Sequence, residues 1–410
     1  MRLVCSAIGV LVAIAMAATA ATARAAPPLL VVPAASQTLH LAVAAPQGVQ
    51  AEAGKYWQLV EVDHADVCLP VEVVAAIGPD GKPAARQSTL LVNISPNKKT
   101  SAVRNFRLEP GKCSAETKGL RFTPLNDKSL ELREGGKPVL VYNHGVITNE
   151  ALPVKETRRS RACFVHPLYG LHGEVLTDAF PKDHYHHLGM FWAWPHIFIE
   201  GKEYDLWMYK NIKQKFVSWL AQDAGPAAAQ LAVENGWFIG DKKVATERVW
   251  LRTFPAVEGH RAIDVDLVVT VGDKAITLMG APEKSYGGLN LRFAPRKDTV
   301  ITVPSGKTKD DLPDTKLAWA DLTAQFAGAP APTGAAIFVP PTHPDYPPTW
   351  LTRHYGVLCV GWPGVKKRTF EPGEIFHLSY RVWIHDRPGE LDALKAAYEA
   401  YQAGLKAEWK

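Results

Sequence analysis

Residues 261–267 read Arg-Ala-Ile-Asp-Val-Asp-Leu, and Val-Val follows at 268–269. Apolar residues occupy every second position, so a pleated strand would carry Ile263, Val265 and Leu267 on one face and the carboxylates on the other. This period of two predicts a β-strand that packs on a core through one face. The stretch decides the fold class, because short runs of similar character recur on both sides of it.

Short β-type runs separated by turn formers extend from this stretch toward both ends of the chain. They lie at 39–43, 56–62, 71–76, 89–93, 120–122 and 138–142, and then at 244–254, 276–279, 289–293, 336–339, 357–361 and 376–384. We therefore expect an all-β protein, with a small N-terminal β-sandwich domain over residues 27–150 and a larger β domain over residues 155–387. The polar residues 149–160 would connect the two domains.

One helix is predicted at the C-terminus, over residues 388–408. Its apolar residues at 391, 394, 398 and 401 follow helical spacing, and acidic residues fill its first turn. His385 and Asp386 are interpreted as a pair that anchors this helix. A weaker pattern suggests a second helix over residues 212–221.

Residues 1–25 have the features of a secretory signal peptide, with Arg2 before an apolar stretch and Ala23-Arg24-Ala25 as a cleavage site. The alternative is a membrane anchor, and no later stretch is apolar enough to span a membrane. We expect a secreted or periplasmic protein. Removal of Arg2 and Arg24 would lower the formal charge from +5 to about +3. This weak, dispersed charge argues against a nucleic-acid partner.

Four cysteines remain after the predicted cleavage site. Cys68 and Cys113 flank one β-rich region, and an exported compartment would permit them to pair. Cys163 and Cys359 are far apart in the sequence, which does not decide whether they meet. None has the Cys-x-x-Cys spacing of a redox or zinc motif.

Six of the fourteen histidines fall within residues 166–196, and three of them stand in the pentapeptide Asp183-His184-Tyr185-His186-His187. Imidazole transfers protons near neutral pH and is the commonest metal ligand. If the pentapeptide is a strand, His184 and His186 share one face and His187 points to the other. If it is a loop, all three rings can converge.

Two kinds of chemistry suit this segment. For proton transfer, His187 and His166 are the first candidates, followed by His186, with Glu283 as a candidate carboxylate base. For metal binding, Asp183, His184 and His186 could form part of a site for zinc, manganese or iron. The spacing matches no diagnostic zinc motif.

Aromatic and arginine residues supply candidate substrate contacts. Aromatic rings offer flat faces to a pyranose, although Trp in a β-sandwich is usually core. A guanidinium binds carboxylates or vicinal hydroxyls, with a structural ion pair as the alternative. His343 lies in a Pro-rich loop, where an exposed turn is the alternative. The candidates are Arg161, Tyr169, Trp194, Arg292, His343, Trp350, Arg353 and Tyr355.

Residues 155–390 contain six notable strings: Arg161-x4-His166-Pro167-Leu168-Tyr169, Asp183-His184-x-His186-His187-x-Gly189, Trp192-Ala-Trp194, Tyr286-Gly287-Gly288-Leu289-x-x-Arg292, His343-Pro344-x5-Trp350-x-x-Arg353-x-Tyr355-Gly356 and Tyr380-Arg381-x3-His385-Asp386. These strings resemble those of secreted bacterial proteins known as PmoA-like, or methane oxygenase A-like. The resemblance implies a galactose-mutarotase-like β-sandwich, and with it carbohydrate chemistry more than alkane oxidation.

Together these features predict an exported protein that acts on a carbohydrate as an epimerase, lyase or hydrolase. A carbohydrate-binding protein without catalysis would use the same aromatic residues. A metal-dependent oxygenase is the third alternative, and it would require two histidines and one carboxylate around a metal. The sequence has no dinucleotide-binding, phosphate-binding or serine-hydrolase motif.

Overall fold

The computed structural model describes residues 27–52, 54–97, 102–111 and 119–410. Throughout these ranges the protein is built from β-strands, with one α-helix near the C-terminus. The predicted all-β class is therefore confirmed. The predicted signal peptide lies outside the described residues, as does Cys113. Cys68 is disulfide-bonded, whereas Cys163 and Cys359 are buried free thiols.

The N-terminal unit is a seven-stranded antiparallel sheet in the order β2-β5-β4-β3-β6-β1-β31, whose last strand comes from the C-terminus. Alternate residues of its strands share one apolar core, which includes Leu30, Leu41, Leu90 and Phe106. The strands are β1 (Leu29–Val32), β2 (Leu39–Ala44), β3 (Trp57–Glu61), β4 (Cys68–Ile77), β5 (Pro83–Ile94) and β6 (Arg104–Pro110).

The larger unit contains a nine-stranded sheet, hereafter the site sheet, in the order β24-β27-β28-β21-β13-β12-β9-β8-β7. Two small sheets lie beside it, one of β10 and β11 and one of β15, β14, β20 and β29. The first strands of the larger unit, in chain order, are β7 (Leu120–Asn126), β8 (Ser129–Glu134), β9 (Lys137–Asn143), β10 (Ile147–Thr148), β11 (Ser160–Arg161), β12 (Phe164–Leu168), β13 (Met190–Ala193), β14 (His196–Ile199) and β15 (Lys202–Tyr204).

A second nine-stranded sheet, in the order β16-β17-β18-β19-β30-β26-β25-β22-β23, shares the main apolar core with the site sheet. The next strands are β16 (Lys213–Ala224), β17 (Ala229–Ile239), β18 (Lys242–Thr253), β19 (His260–Val271), β20 (Ile276–Met279), β21 (Gly288–Arg292), β22 (Arg296–Val303) and β23 (Gly306–Thr308). The last are β24 (Leu312–Lys316), β25 (Trp319–Phe326), β26 (Thr333–Phe338), β27 (Thr349–Arg353), β28 (Val357–Gly361), β29 (Arg368–Phe370), β30 (Ile375–His385) and β31 (Glu408–Trp409).

The boundary between the two units falls earlier than predicted. Strand β9 pairs with β12, with Tyr142 opposite Val165 and Leu140 opposite Leu168. Strands β7 and β8 extend the same sheet. The expected N-terminal domain of residues 27–150 thus includes β7, β8 and β9, whose buried side chains belong to the core of the larger unit, and β10, which pairs with β11 of that unit.

The weaker helix predicted over residues 212–221 is wrong, because residues 213–221 belong to strand β16. The pairing of β16 with β17 shifts register between Phe216 and Ser218 and again between Trp219 and Ala221. Each bulge inserts an extra residue into the strand. The bulges change the spacing of apolar residues along β16, which explains why the pattern resembled helical spacing.

The predicted C-terminal helix is present as α1 (Leu391–Gly404). Its apolar face packs on the larger unit, where Leu394, Tyr398 and Tyr401 contact the cluster around Phe338 and Trp383. The following residues return to the N-terminal unit, because Lys410 and Leu29 exchange backbone hydrogen bonds of 2.7 and 2.9 Å. The helix and the chain end therefore connect the two units. No helix in the described part of the chain is long and apolar enough to cross a membrane.

Candidate functional site

The histidine-rich segment 181–188 is a loop between β12 and β13, held by its own turns. The amide of His184 donates to the carbonyl of Pro181 at 3.0 Å, and the amide of His187 donates to the carbonyl of His184 at 2.9 Å. The amide of Phe180 closes the loop on the carbonyl of His187 at 2.9 Å. Of the two alternatives that the sequence left open for the pentapeptide, a strand and a loop, the structure shows the loop.

The three imidazoles of this loop converge. The rings of His184 and His187 are stacked with centroids 4.7 Å apart, and the ring of His186 stands edge-on to His187 at 4.6 Å. On its other face, His184 stacks on Tyr355 at 5.1 Å. No described residue gives a hydrogen bond to the rings of His186 and His187, and their Nδ1 atoms are buried without a partner.

The loop is joined to the neighbouring strand by an ion pair. Both carboxylate oxygens of Asp183 lie 2.8 Å from Nη2 of Arg292 on β21. The guanidinium of Arg292 also lies over the ring of Tyr355, 4.9 Å from its centroid. Nδ1 of His184 is 2.9 Å from Oδ2 of Asp183 but without hydrogen-bond geometry. Burial raises the pKa of Asp183, but His184 and Arg292 outweigh it and the net pKa is lowered.

The loop forms one wall of a cavity of about 540 Å³, hereafter the histidine cavity. The other walls come from the turn after β15, the segment between β20 and β21, and one end of strands β24, β27 and β28. The lining residues are His184, His186, His187, Trp207, Met208, Lys284, Tyr286, Asp311, Leu351, Arg353, Tyr355 and Val357. Because β13, β21, β28, β27 and β24 are neighbours in the site sheet, segments far apart in sequence meet at this end.

The electrostatic environment keeps two of the imidazoles neutral. Burial, with a further contribution from His184 and nearby guanidinium groups, lowers the pKa of His186 to about 3. Burial, followed by the effect of His186 and Arg292, lowers the pKa of His187 well below its usual value. A neutral imidazole has one donor and one acceptor nitrogen. Each ring can therefore donate one hydrogen bond to a bound ligand and accept another from it at neutral pH.

Arg161 stands behind the cavity and shapes its aromatic wall. Its guanidinium donates to the carbonyls of Leu206 and Trp207 at 3.1 and 3.0 Å and lies 3.5 Å from the ring centroid of Tyr209. This fixes the turn that presents Trp207, whose ring contacts Tyr286 at 4.6 Å. The residue predicted as a substrate contact is thus completely buried, and it positions a residue that lines the cavity.

Arg353 and Asp311 form the polar wall opposite. Nη1 of Arg353 donates to Oδ2 of Asp311 at 3.2 Å. The other oxygen of Asp311 accepts from the backbone amide of His354 at 2.7 Å and lies 2.9 Å from its Nδ1. Asp311 is the carboxylate among the cavity-lining residues that the structure describes. It is therefore already paired on both oxygens.

Five of the predicted site residues line the cavity: His184, His186, His187, Arg353 and Tyr355. Arg292, Asp183 and Arg161 do not line it, but each contacts a residue that does. Trp192 and Trp194 are both buried. Trp194 and Trp350 are core residues, and their indoles donate at 2.7 Å to the carbonyl of Trp362 and at 2.8 Å to the carbonyl of Leu317. Both tryptophans are therefore core residues and not the substrate contacts that were predicted.

The remaining predicted residues lie elsewhere. His166 is not a cavity-lining residue; its Nδ1 lies 3.1 Å from Oγ1 of Thr177, and burial lowers its pKa to about 4. His343 is buried against Tyr380, with 3.2 Å between Nε2 and the hydroxyl. Glu283 is exposed at a positive φ of 63° and does not line the cavity, and Tyr169 pairs with Val175 in an isolated bridge. The sequence alone does not show that these four residues lie away from the cavity, because their positions depend on how distant strands pair.

Lys284, Asp311, Met208, Leu351 and Val357 line the cavity but were not predicted as site residues. Lys284 follows the candidate Glu283 in the sequence, whereas Asp311 lies outside every predicted strand. Trp207 and Tyr286 also line the cavity, and Tyr286 stands in the string Tyr286-Gly287-Gly288. Their position in one wall follows from strand pairing between distant segments.

No group of three or more His, Cys, Asp or Glu side chains within residues 27–52, 54–97, 102–111 and 119–410 is arranged to hold a metal ion. The candidate set Asp183, His184 and His186 is not such a group, because Asp183 is turned toward Arg292. The rings of His184 and His186 are 5.5 Å apart, edge to face.

The fold and site define an all-β protein with an imidazole-lined cavity at one end of its larger sandwich. Residues 129–400 match the model of a family of unknown function, DUF6807, and the chain belongs to this family. The matched range contains every residue that lines the histidine cavity. None of the curated proteins matches the sequence.

Among solved structures, the chain is similar to that of the galactose mutarotase related enzyme from Lactobacillus acidophilus. The identity is 9%, the match covers 66% of this chain and 99% of that chain, and the TM-score is 0.26. A TM-score this low carries no argument, so the all-β class depends on the strands themselves. The mutarotase-like architecture and the resemblance to PmoA-like proteins stay predictions.

Proposed function

We propose that this protein is a carbohydrate-active enzyme in which His187 and His186 transfer protons to and from a sugar bound in the histidine cavity. The observation that carries the proposal is the pair of buried, unpartnered Nδ1 atoms of His186 and His187, two residues that line an open cavity. Buried polar groups are normally hydrogen-bonded, and exceptions call for an explanation such as a catalytic or ligand-binding role. A ligand with hydroxyl groups would satisfy these rings.

The shape and lining of the cavity favour a sugar among hydroxyl-bearing ligands. A volume of about 540 Å³ falls in the usual range of small-molecule sites. Trp207, Tyr286 and Tyr355 offer apolar ring faces with polar edges, which suit the C–H face of a pyranose. The reaction would be one that moves a proton, as in an epimerase, lyase or hydrolase. We also propose, from residues 1–25, that the protein is exported.

A carbohydrate-binding protein without catalysis is the second candidate. Asp311, the carboxylate among the described lining residues, is already paired with Arg353 and His354. A catalytic carboxylate would normally be free to exchange a proton with the substrate. This pairing favours a binding role if the imidazoles alone do not support turnover.

Replacement of His187 tests the two candidates. Glycans that bind the wild-type protein would be incubated with wild type, His187→Ala and His172→Ala, and products would be followed by mass spectrometry. His172 is an exposed histidine of the same region outside the cavity, so His172→Ala is the matched control. We expect His187→Ala to lower turnover by about 10²-fold or more, as loss of a general acid or base does.

The outcomes separate the candidates. Turnover that survives in His187→Ala contradicts the catalytic role of this residue. Binding without turnover in the wild type favours the non-catalytic alternative.

A further inference from the structure

The carboxylates around the histidine cavity are already used by partners. Asp183 gives both oxygens to Arg292 at 2.8 Å, and Asp311 is shared between Arg353 and His354. Neither is left to neutralise a further cation. Any additional positive charge at the cavity is therefore uncompensated by these groups.

Arg161 is such a charge, placed just behind the cavity wall. It is 1% exposed, its hydrogen bonds go to the carbonyls of Leu206 and Trp207, and its Nε has no partner. Asp205 is close enough to interact electrostatically with Arg161, but its Oδ1 accepts a hydrogen bond from the backbone amide of Met208 at 2.8 Å. It forms no ion pair with Arg161 among the described residues. A buried guanidinium without a paired carboxylate favours a negative charge nearby.

Two further cations reach the cavity directly. Lys284 is an exposed lining residue, and no ion pair involves it in the described part of the chain. Its neighbour Glu283 is also exposed and does not line the cavity. Arg353 uses only Nη1 in a hydrogen bond, to Asp311. A guanidinium has five N–H donors, so Arg353 retains donors for an acidic ligand.

From this arrangement we infer that the histidine cavity binds an anionic sugar, whose acid group contacts Lys284 and Arg353. The inference rests on the proposed function, because it names the class of sugar that the same cavity takes. A uronic-acid carboxylate and a sulfate ester share the required chemistry, since a guanidinium and an ammonium bind either oxyanion. The buried charge of Arg161 favours the anion through space, without touching it.

A glycan array tests the inference with the full-length protein. Uronic-acid and sulfated oligosaccharides are printed beside neutral counterparts of the same linkage, and binding is measured for the wild type at low and high salt. We expect a preference of about tenfold or more for acidic members, which is what one charge-assisted hydrogen bond supplies. The preference should weaken as salt screens the exposed charges. The uronic-acid and sulfated arms show which acid group is bound.

Variants of two exposed lysines assign the contact. Lys284→Gln should lose most of the preference for acidic glycans and Lys284→Arg should retain it. Lys202→Gln, in an exposed lysine on β15 that does not line the cavity, is the matched control. Because Lys284 is exposed and unpaired, its replacement should leave folding intact, which circular dichroism would verify.

The outcomes distinguish this inference from the proposed function. Equal binding of neutral and acidic glycans overturns the anionic class and leaves carbohydrate binding standing. Absence of binding to every glycan overturns both. An unchanged acidic preference in Lys284→Gln overturns the contact assigned to Lys284.

Discussion

At the scale of single residues, a buried carboxylate organises the contact between the two nine-stranded sheets. Glu247 on β18 is fully buried and accepts four hydrogen bonds. The indoles of Trp192 and Trp237 donate at 2.8 Å, and the amides of Gln214 and Asn235 donate at 2.9 Å. Trp192 belongs to the site sheet and the other three donors to the opposite sheet, so one carboxylate joins both layers.

Replacement of Glu247 tests this network. Each carboxylate oxygen accepts two of the donors, whereas a glutamine has one oxygen and an NH2 group that would face two donors. We expect Glu247→Gln to lower the free energy of unfolding by about 2–4 kcal/mol, the cost of leaving buried donors unpaired. Urea unfolding measures the change. Glu399→Gln on the exposed side of α1 is the control and should change stability by less than about 0.5 kcal/mol; an equal effect in both variants would contradict the role of the network.

At the scale of elements, Gly189 connects the histidine-rich loop 181–188 to strand β13. It has a φ of +79°, and its carbonyl accepts the amide of Arg292 at 2.7 Å. A Cβ at this position would lie 2.5 Å from the carbonyl oxygen of Val165 on β12. The glycine therefore allows both the left-handed backbone and the close approach of β13 to β12.

Two alanine substitutions separate these effects. Gly173 has a φ of +92°, but a Cβ there would meet nothing within 4 Å. We expect Gly173→Ala to cost about 1–2 kcal/mol, the price of the left-handed conformation alone. Gly189→Ala should cost roughly 2 kcal/mol more, because the clash is with backbone that cannot rotate away. Equal losses in thermal or urea unfolding would show that β12 tolerates the extra atom.

A comparison of predicted and observed elements shows which of them a local sequence pattern can predict. Strand β19 extends from His260 to Val271 and contains the alternating stretch that predicted it. The C-terminal helix was found because apolar residues at helical spacing are a local signal. Strand β16 was mistaken for a helix because its two bulges come from pairing with β17, which no local window contains.

At the scale of the whole molecule, a buried ion pair connects the second sheet to the start of the C-terminal helix. Nε2 of His385 on β30 lies 2.8 Å from Oδ1 of Asp321 on β25, and both side chains are almost fully buried. Thr323 donates to the other oxygen of Asp321 and accepts the amide of Gly389 at 3.0 Å. The interpretation that His385 pairs with Asp386 is therefore wrong: the partner is a residue of another strand.

This pair predicts a pH dependence of folding stability. Burial lowers the pKa of His385, but Asp321 outweighs it and the net pKa is raised above 6.5. Below about pH 6.5 both states hold the proton and the stabilisation is complete. As the pH rises through the folded pKa, unfolding releases the proton and the free energy of unfolding falls, by at most about 1.4 kcal/mol per pH unit. Urea unfolding between pH 6.5 and 8 measures this slope.

His385→Gln should remove this contribution to the slope, and His172→Ala should keep it. Loss of one partner of a buried pair costs about 3–5 kcal/mol, so the direct titration of His385 by NMR in the wild type provides a second measurement. A raised folded pKa is the expected result. A folded pKa at or below 6.5 would contradict the prediction.

Local sequence patterns are enough to predict the all-β class and the position of the histidine-rich segment. Alternation of apolar residues sets strand faces, helical spacing sets α1, and the pentapeptide Asp183–His187 places three imidazoles side by side, all through contacts between near neighbours in the chain. Tertiary structure alone decided which groups join them. Lys284, Asp311 and Arg353 meet the histidines because distant strands pair in a non-sequential order, and the free energy of that pairing comes from a shared core that no local stretch encodes.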